Sequence, residues 1–298
     1  MGADSELDAD DPEVAYLHRL GLARRAENRP QLERALQSDR TLVREVAARA
    51  LGWLRDETTE PALVKALEDS APTVRQWAAK SLALCGGSAS LQPLIAQLLS
   101  DDDPLNRVAA ARSLGWLKLA DAAEALRASS DDAEDDVRGA AVEALGRLGD
   151  VGGLPVVIAA LTDSSASVRR LAVHAFSQLA NEAAIGHLVQ SSDDPDAEVR
   201  AVSVRRLSQI SPVHVESIAL RALDDDNPGV RVTAVIALGR VGGQHHLARL
   251  DDLLSDPHPE VRHHAIQIIG SLRSSETDES KALTRAKQDQ LTITPKLS

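Results

Sequence analysis

Apolar and charged positions along the chain follow a pattern that returns every 31 residues, with one interval of 32 between Arg75 and Arg107. Each period contains an arginine, usually in the dipeptide Val-Arg, and a large apolar residue stands seven positions after it. A fixed period of this length predicts a stack of repeated helical units, each of which packs only against its neighbours. The eight marker arginines are Arg44, Arg75, Arg107, Arg138, Arg169, Arg200, Arg231 and Arg262.

Each period predicts two helices joined by a turn. In the second unit, Glu60–Asp69 forms a short amphipathic segment with Pro61 in its first turn, where a missing N–H is tolerated. A second helix follows over Val74–Leu82. Gly86 and Gly87 come after it, so we expect them to adopt the left-handed conformation that ends many helices.

Helical angles separate the core face of the second helix from its outer face. With the arginine at zero and about 100° per residue, the preceding position and those three, seven and ten residues later share one face. In the first unit these positions hold Val43, Ala47, Leu51 and Leu54, so this face is predicted to be buried. Cys85 occupies the tenth position of its unit and is predicted to be a small core residue.

An aspartate stands six residues before seven of the eight arginines, and in the first unit the register slips to Asp39. At that offset it lies in the turn before the second helix, where it can accept hydrogen bonds from backbone N–H groups and from a guanidinium. We therefore predict a partly buried ladder of alternating Asp and Arg, in preference to a row of anion-binding or metal-binding groups. The aspartates are Asp69, Asp101, Asp132, Asp163, Asp194, Asp225 and Asp256.

The repeated unit Asp-(x5)-Val-Arg-x-x-Ala-Ala-x-Ala-Leu-Gly-x-Leu resembles the HEAT repeat, in the short HEAT-like form named after phycobiliprotein lyases. The resemblance implies an all-α fold, a right-handed α-solenoid of about eight antiparallel helix pairs whose second helices lie on the concave side. It also implies a protein that binds other proteins, since most members of the family do so.

Three segments are expected from the repeat register. Residues 1–29 form an acidic N-terminal segment in which Pro12–Asn28 is a degenerate capping helix. Residues 30–273 hold the eight repeats, and residues 274–298 hold a C-terminal capping helix over Lys281–Leu291 followed by a loose tail. Terminal repeats of a solenoid are expected to be atypical, because their outer faces meet water.

Composition limits the classes of function. The formal net charge is −12, with 28 Asp, 17 Glu, 27 Arg and only 6 Lys, so nucleic acid and anionic membranes are not expected partners. This acidic, lysine-poor balance resembles proteins of salt-accumulating halophiles, a hypothesis that predicts greater stability in molar KCl. The chain has one cysteine, no signal-like N-terminus and no long apolar run, so we expect a cytoplasmic location.

Enzymatic members of the family offer alternatives that the sequence does not favour. Deoxyhypusine hydroxylase uses His-Glu pairs to bind iron, and this chain has no such dipeptide. Its adjacent pairs His245–His246 and His263–His264, with Asp256 and His258 nearby, would point about 100° apart on a helix, so neither pair is expected to chelate a metal. Aromatic residues make up 2% of the chain, too few for a tetrapyrrole cleft, and the charge argues against a DNA glycosylase. We expect a non-enzyme without a cofactor or metal.

The outer face of the second helices carries the candidate binding site. Positions two, five and nine after each arginine point directly away from the core face, and all three tryptophans fall there. Basic residues accompany them at the fifth positions, and the spacing of Arg49 with Trp53 and of Arg112 with Trp116 allows cation–π pairs. The predicted partner-binding residues are Arg49, Trp53, Trp77, Lys80, Arg112 and Trp116.

Tryptophan and arginine dominate binding hot spots, and a basic aromatic strip on an acidic protein favours an acidic peptide or helix. The function expected is that of a non-catalytic adaptor or scaffold that binds a protein partner on this face. Two alternatives stay open: the indoles only cover the helices beneath them, or the chain is an accessory or lyase-type subunit that acts on a cofactor-bearing protein.

Overall fold

A computed structural model describes residues 11–179, 185–242 and 244–274, and all regular structure in these ranges is helical. The chain divides into two compact units at residue 180. No helix in the described ranges is long and apolar enough to cross a membrane. The helices of the first unit are α1 Pro12–Leu22, α2 Arg29–Ala35, α3 Thr41–Leu54, α4 Glu60–Ala66, α5 Pro72–Cys85, α6 Leu91–Ser100, α7 Pro104–Leu117, α8 Ala123–Ser129, α9 Asp135–Leu148, α10 Leu154–Ala160 and α11 Ala166–Leu179. Those of the second unit are α12 Ile185–Ser191, α13 Ala197–Ile210, α14 Pro212–Ala222, α15 Pro228–Val241, α16 Leu247–Asp252 and α17, which is helical over 259–274.

The order of the helices confirms the predicted fold, an all-α solenoid in which each repeat consists of two helices. The second helix of each repeat, from α3 to α15, has 14 residues. Several of these helices begin with a proline, as at Pro72, Pro104 and Pro228, where the fixed φ suits the first turn. Short 3-10 turns precede many of the first helices, and the sequence reasoning did not anticipate them.

The ends of the second helices differ from the prediction. Gly86 has φ −77° and ψ 164°, so neither it nor Gly87, at φ −135°, takes the left-handed conformation. Gly86 is instead held by a close approach, because a Cβ there would lie 2.7 Å from the carbonyl oxygen of Leu82. The left-handed cap occurs at other repeats, on Arg55 and Lys118. The prediction of left-handed glycines at this turn was wrong.

The predicted core face is confirmed. Val43, Ala47 and Leu51 have no exposed surface, and Leu54 is 8% exposed. Cys85 is also buried, which raises the pKa of its thiol, although the hydroxyl of Thr59 donates a hydrogen bond to its sulfur at 3.2 Å. Burial of this face against the neighbouring repeats is the main source of stability in such a stack.

The Asp and Arg ladder is confirmed. In the second repeat, Nε and Nη2 of Arg75 donate to the two carboxylate oxygens of Asp101, in the next repeat, at 2.8 and 2.9 Å. Nη1 of Arg75 donates to the backbone carbonyl of Asp69, in its own repeat, at 3.0 Å. Each such arginine therefore ties its own turn to the turn of the following repeat. The pairs found within the described units are Arg44–Asp69, Arg75–Asp101, Arg107–Asp132, Arg138–Asp163, Arg200–Asp225 and Arg231–Asp256.

The aspartates of the ladder also order the turns in which they lie. Each accepts a hydrogen bond from the backbone N–H two residues later, as Asp132 does from Glu134 at 2.9 Å. In the first repeat the acceptor is Ser38, whose hydroxyl oxygen accepts from the N–H of Arg40. The predicted substitute, Asp39, contributes its backbone carbonyl to Arg44 instead. The register therefore holds at Ser38 and does not slip to Asp39.

Hydrogen bonding in the ladder lowers the pKa of six aspartates: Asp69, Asp101, Asp132, Asp163, Asp225 and Asp256. For Asp163 and Asp256 the bond from the paired arginine is the largest cause. For Asp69, Asp101 and Asp225 burial is the largest single influence and would raise the pKa, but the arginine and backbone hydrogen bonds together outweigh it. The ladder therefore holds these carboxyl groups in their charged form.

A helix lies where the N-terminal capping helix is predicted over Pro12–Asn28, and it is shorter than predicted. It is α1, which ends at Leu22, and the side chain of Asp11 accepts from the N–H groups of Glu13 and Val14 at its start. Arg40 forms ion pairs with both Asp11 and Glu13, which ties α1 to the start of α3. The helix expected over Lys281–Leu291 lies outside the described residues.

Candidate functional site

Close packing of α3, α5 and α7 forms the floor of the candidate site. The hydroxyl of Ser81 on α5 donates to the backbone carbonyl of Ala48 on α3 at 2.8 Å, and Ser113 on α7 does the same to Ala79 on α5. Gly52 makes the approach possible, because a Cβ there would lie 2.8 Å from the Cα of Ser81. Small residues at these positions therefore bring the three helices together and leave their outer residues in register.

Two of the three tryptophans enclose a buried arginine. The guanidinium carbon of Arg49 lies 5.3 Å from the ring centre of Trp53 and 5.2 Å from that of Trp77. Arg49 is only 7% exposed. On its other side, Trp53 contacts the ring of His18 on α1 with centres 4.9 Å apart. The predicted pairing of Arg49 with Trp53 is confirmed, and this part of the strip covers the helices beneath it.

Trp77 is fixed on both its edge and its face. Its indole N–H donates to the carboxylate of Glu45 at 3.2 Å. The ammonium nitrogen of Lys80 lies 4.7 Å from its ring centre. Lys80 itself is exposed. A charged group that faces water over an oriented ring can meet a partner at little further ordering cost.

Trp116 is the most exposed of the three tryptophans, with 60% of its surface accessible. The cation over its ring is Arg147 on α9, 4.1 Å from the ring centre, and not the predicted Arg112. Arg147 forms an ion pair with Glu143 at 2.6 Å, and Arg112 approaches the same carboxylate at 3.8 Å. The carboxylate on the next repeat draws Arg112 away from the indole, so the predicted pair within α7 was wrong.

All six residues predicted for partner binding line one groove with a cavity volume of 680 Å³. Its other lining residues include Arg55, Leu84 and Leu105. Leu84 and Leu105 are 43% and 56% exposed, so the groove presents apolar surface to water. Four of the lining side chains are basic and none is acidic, in a chain with a formal net charge of −12.

Sequence reasoning did not single out Leu84, which lines the groove, or Arg147, which lies over Trp116, although a signal was present. Leu84 and Arg147 stand nine residues after Arg75 and Arg138, the same position that holds Trp53 and Trp116 in their repeats. Reading the ninth position in every repeat would have found both. Leu105 lies in the first turn of α7, outside the positions that the helical angles selected.

The structure treats the two histidine pairs differently. His263 and His264 lie on α17, and Nδ1 of His264 is 2.8 Å from the carbonyl oxygen of Glu260 in the same helix. The pair His245–His246 lies in a 3-10 turn, with ring centres 3.9 Å apart and both rings beside Glu216. The two rings of this pair therefore lie together, contrary to the divergence predicted for adjacent residues of an α-helix. Nearby Asp256 belongs to the ladder.

Comparison with known proteins supports the repeat assignment. A model of the HEAT repeats family matches residues 5–83, 60–146, 128–208 and 215–292. Among solved structures, YibA of Escherichia coli is 20% identical, with a TM-score of 0.60, over 87% of this chain and 97% of its own. The complex of CpcE and CpcF of phycocyanin lyase from Nostoc sp. PCC7120 is 23% identical, with a TM-score of 0.50, over 82% of this chain and 94% of the matched chain.

Human deoxyhypusine hydroxylase in complex with glycerol is also similar, at 21% identity and a TM-score of 0.39, over 86% of this chain and 99% of its own. None of the curated proteins compared with the sequence matches it. At these identities the likeness to solved structures concerns the fold alone. The family model covers most of the chain in four overlapping matches, and the structure shows the helix pairs that such matches require. This chain belongs to the HEAT repeat family.

Proposed function

We propose that this protein is a non-catalytic adaptor that binds an acidic segment of a partner protein in the groove over α3, α5 and α7. The observation that carries the proposal is the charge and exposure of the groove: four basic side chains, no acidic one, and an indole that is 60% exposed. A repeat scaffold with such a groove can act by holding its partner.

Charge complementarity supports an acidic partner. The acidic remainder of the chain repels an acidic segment, whereas Arg55, Lys80 and Arg112 attract it into the groove. The apolar surface of Leu84 and Leu105 offers contact for the apolar face of a helix or peptide. Both features together favour an amphipathic acidic segment.

The lining residues support a binding role over a catalytic one. Among the described residues that line the groove there is no histidine, cysteine or carboxylate to act as a general base. Ser81 and Ser113 are buried, and their hydroxyls donate to backbone carbonyls. In the similar structure of phycocyanin lyase, CpcE and CpcF form a complex with each other, which agrees with protein binding as a use of this fold.

Affinity capture from the native host, at its own ionic strength, tests the proposal. The wild type is compared with a Lys80→Glu/Arg112→Glu variant, which reverses two charges in the groove and leaves the packed Arg49 and Trp53 in place. Lys65→Glu is the matched control, because Lys65 is exposed on α4 of the same repeat and does not line the groove. Mass spectrometry identifies what each protein retains.

We expect the wild type and the Lys65→Glu control to retain the same partner, and the groove variant to retain at least tenfold less of it. Equal capture by all three proteins, with circular dichroism showing that they are folded, would end the proposal. A visible absorbance band that copurifies with the wild type and not with the groove variant would favour a role on a cofactor-bearing protein instead.

A further inference from the structure

A cluster of potential metal ligands lies in the C-terminal of the two compact units, which begins after residue 180, far along the sequence from the groove residues. Glu216 on α14 faces the 3-10 turn that contains His245 and His246. Nε2 of His245 is 3.0 Å from Oε1 of Glu216, and Nε2 of His246 is 3.8 Å from the same oxygen. One ligand atom from each of the three residues lies within 4.8 Å of the others.

An ordinary ion pair does not account for the whole cluster. It explains His245, which is 65% exposed and within hydrogen-bond distance of Glu216. His246 is only 1% exposed, and its Nε2 finds no hydrogen-bond partner among the described residues. A buried ring nitrogen without a partner carries an energetic cost, which a bound ligand would remove.

His246 lies buried beside Glu216, and the lone pair of an imidazole nitrogen is the group that a metal ion binds. Glu216 is 40% exposed on its side chain, so one side of the cluster remains open to solvent.

The donor set selects among metals. Two imidazoles and a carboxylate suit Zn²⁺ and other first-row transition ions better than Mg²⁺ or Ca²⁺, which prefer oxygen ligands. Tetrahedral zinc with bonds of 2.0–2.1 Å places its ligand atoms about 3.3 Å apart. The observed separations from Glu216, 3.0 and 3.8 Å, lie on either side of this value. Small side-chain movements would therefore close the site around an ion.

We propose that Glu216, His245 and His246 form a binding site for one zinc ion, with a fourth position open to water or to another ligand. The ion would join α14 to the turn that precedes α16, two elements that are 29 residues apart at Glu216 and His245. This site is independent of the groove, and its failure would leave the proposed adaptor function untouched.

Zinc titration of the full chain tests this proposal, after removal of any affinity tag and of bound metals with a chelator. Affinity and stoichiometry are measured by isothermal titration calorimetry and by competition with a chromophoric zinc chelator. The variant Glu216→Gln removes the charge of one ligand and His245→Ala removes another, both at positions that solvent reaches, so they are expected to fold. His263→Ala/His264→Ala is the matched control, since it removes two neighbouring histidines on α17.

We expect one equivalent of zinc to bind to the wild type and to the control. Because even loss of a residue that only orients a ligand costs about 10–100-fold in metal affinity, each ligand variant should weaken zinc binding at least tenfold. Cobalt substitution should give the intense visible absorption of a tetrahedral ion in the wild type and lose it in both ligand variants. The proposal is overturned if the wild type does not bind zinc, if the ligand variants bind as the wild type does, or if the control pair loses the ion.

Discussion

Two adjacent aspartates in one turn offer a test of what the ladder contributes to stability. Asp224 and Asp225 each form an ion pair with an arginine 25 residues away, Asp224 with Arg249 and Asp225 with Arg200. The exposed fraction of the side chain is 71% for Asp224 and 13% for Asp225. The perturbations are Asp224→Ala and Asp225→Ala, which remove the same group from neighbouring positions of different burial.

The expected magnitude for Asp225→Ala follows from its contacts. The carboxylate accepts two charge-assisted hydrogen bonds from Arg200, at 2.7 and 2.8 Å, and one from the N–H of Asn227 at 2.9 Å. A hydrogen bond to a charged group contributes about 1.5–3 kcal/mol, and water that reaches this partly exposed pair reduces the sum. Arg200 also keeps its bonds to backbone carbonyls. We expect Asp225→Ala to lower the free energy of unfolding by about 2–3 kcal/mol, and Asp224→Ala to lower it by about 0–1 kcal/mol.

Urea unfolding at neutral pH, followed by far-ultraviolet circular dichroism, measures both free energies, provided that the dependence on urea stays unchanged. The double variant Arg200→Ala/Asp225→Ala should lose less than the sum of the two single variants, because the second substitution removes a charge that has already lost its partner. Equal destabilisation by Asp224→Ala and Asp225→Ala would refute the reasoning that burial and paired hydrogen bonds make the ladder a stabilising element.

Three further predictions concern packing, reactivity and pH. Gly115→Ala should destabilise the chain by about 1–3 kcal/mol in urea unfolding, because a Cβ would lie 2.8 Å from the Cα of Ala144. Gly270→Ala, where a Cβ meets nothing within 4 Å, should be neutral or stabilise the chain by up to about 1 kcal/mol. A larger destabilisation by Gly270→Ala than by Gly115→Ala would show that close helix approach does not require the glycine. Cys85 should react with a maleimide at least about 100-fold more slowly in the native chain than in urea, since burial raises its pKa and shields it, and equal rates would show that the site is open. The free energy of unfolding should fall as the pH drops below about 4, because the pKa of ladder carboxyls such as Asp163 and Asp256 is lower in the folded than in the unfolded chain. Such a carboxyl stabilises the fold above its unfolded pKa and loses that contribution as the pH falls through its folded pKa. A free energy of unfolding that stays the same between pH 6 and pH 3 would contradict this.

The repeat register was sufficient to predict the fold class, the core face and the ladder. It succeeded because each repeat solves the same packing problem, so the position of Leu51 is buried in each described repeat and the position of Asp101 carries the same arginine pair in six of them. It failed where the local detail of one repeat decides the outcome. The turn at Gly86 takes an ordinary φ, and a Cβ there would meet a nearby carbonyl and hydroxyl, a close approach that no periodic signal records.

The candidate site was predicted in its residues and only partly in its contacts. Helical angles place a side chain on a face but do not say which neighbouring helix supplies its partner. Arg112 was expected to cover Trp116 from one turn away, yet Glu143 on the next repeat attracts it and Arg147 takes the place over the ring. The pair His245–His246 was considered and set aside on α-helical spacing, whereas it lies in a 3-10 turn and contacts Glu216 on a helix about 30 residues earlier, which the spacing does not reveal.

Hydroxyl-radical footprinting of the chain, alone and with its captured partner, tests most directly the claim that the groove is the partner site. Trp116 is 60% exposed within the groove, and Tyr16 on α1 is 45% exposed and does not line it, so one sample contains both the probe and its control. If the groove is the partner site, the partner reduces oxidation of Trp116 several-fold and leaves that of Tyr16 unchanged. Oxidation of Trp116 that is the same with and without the partner would contradict it.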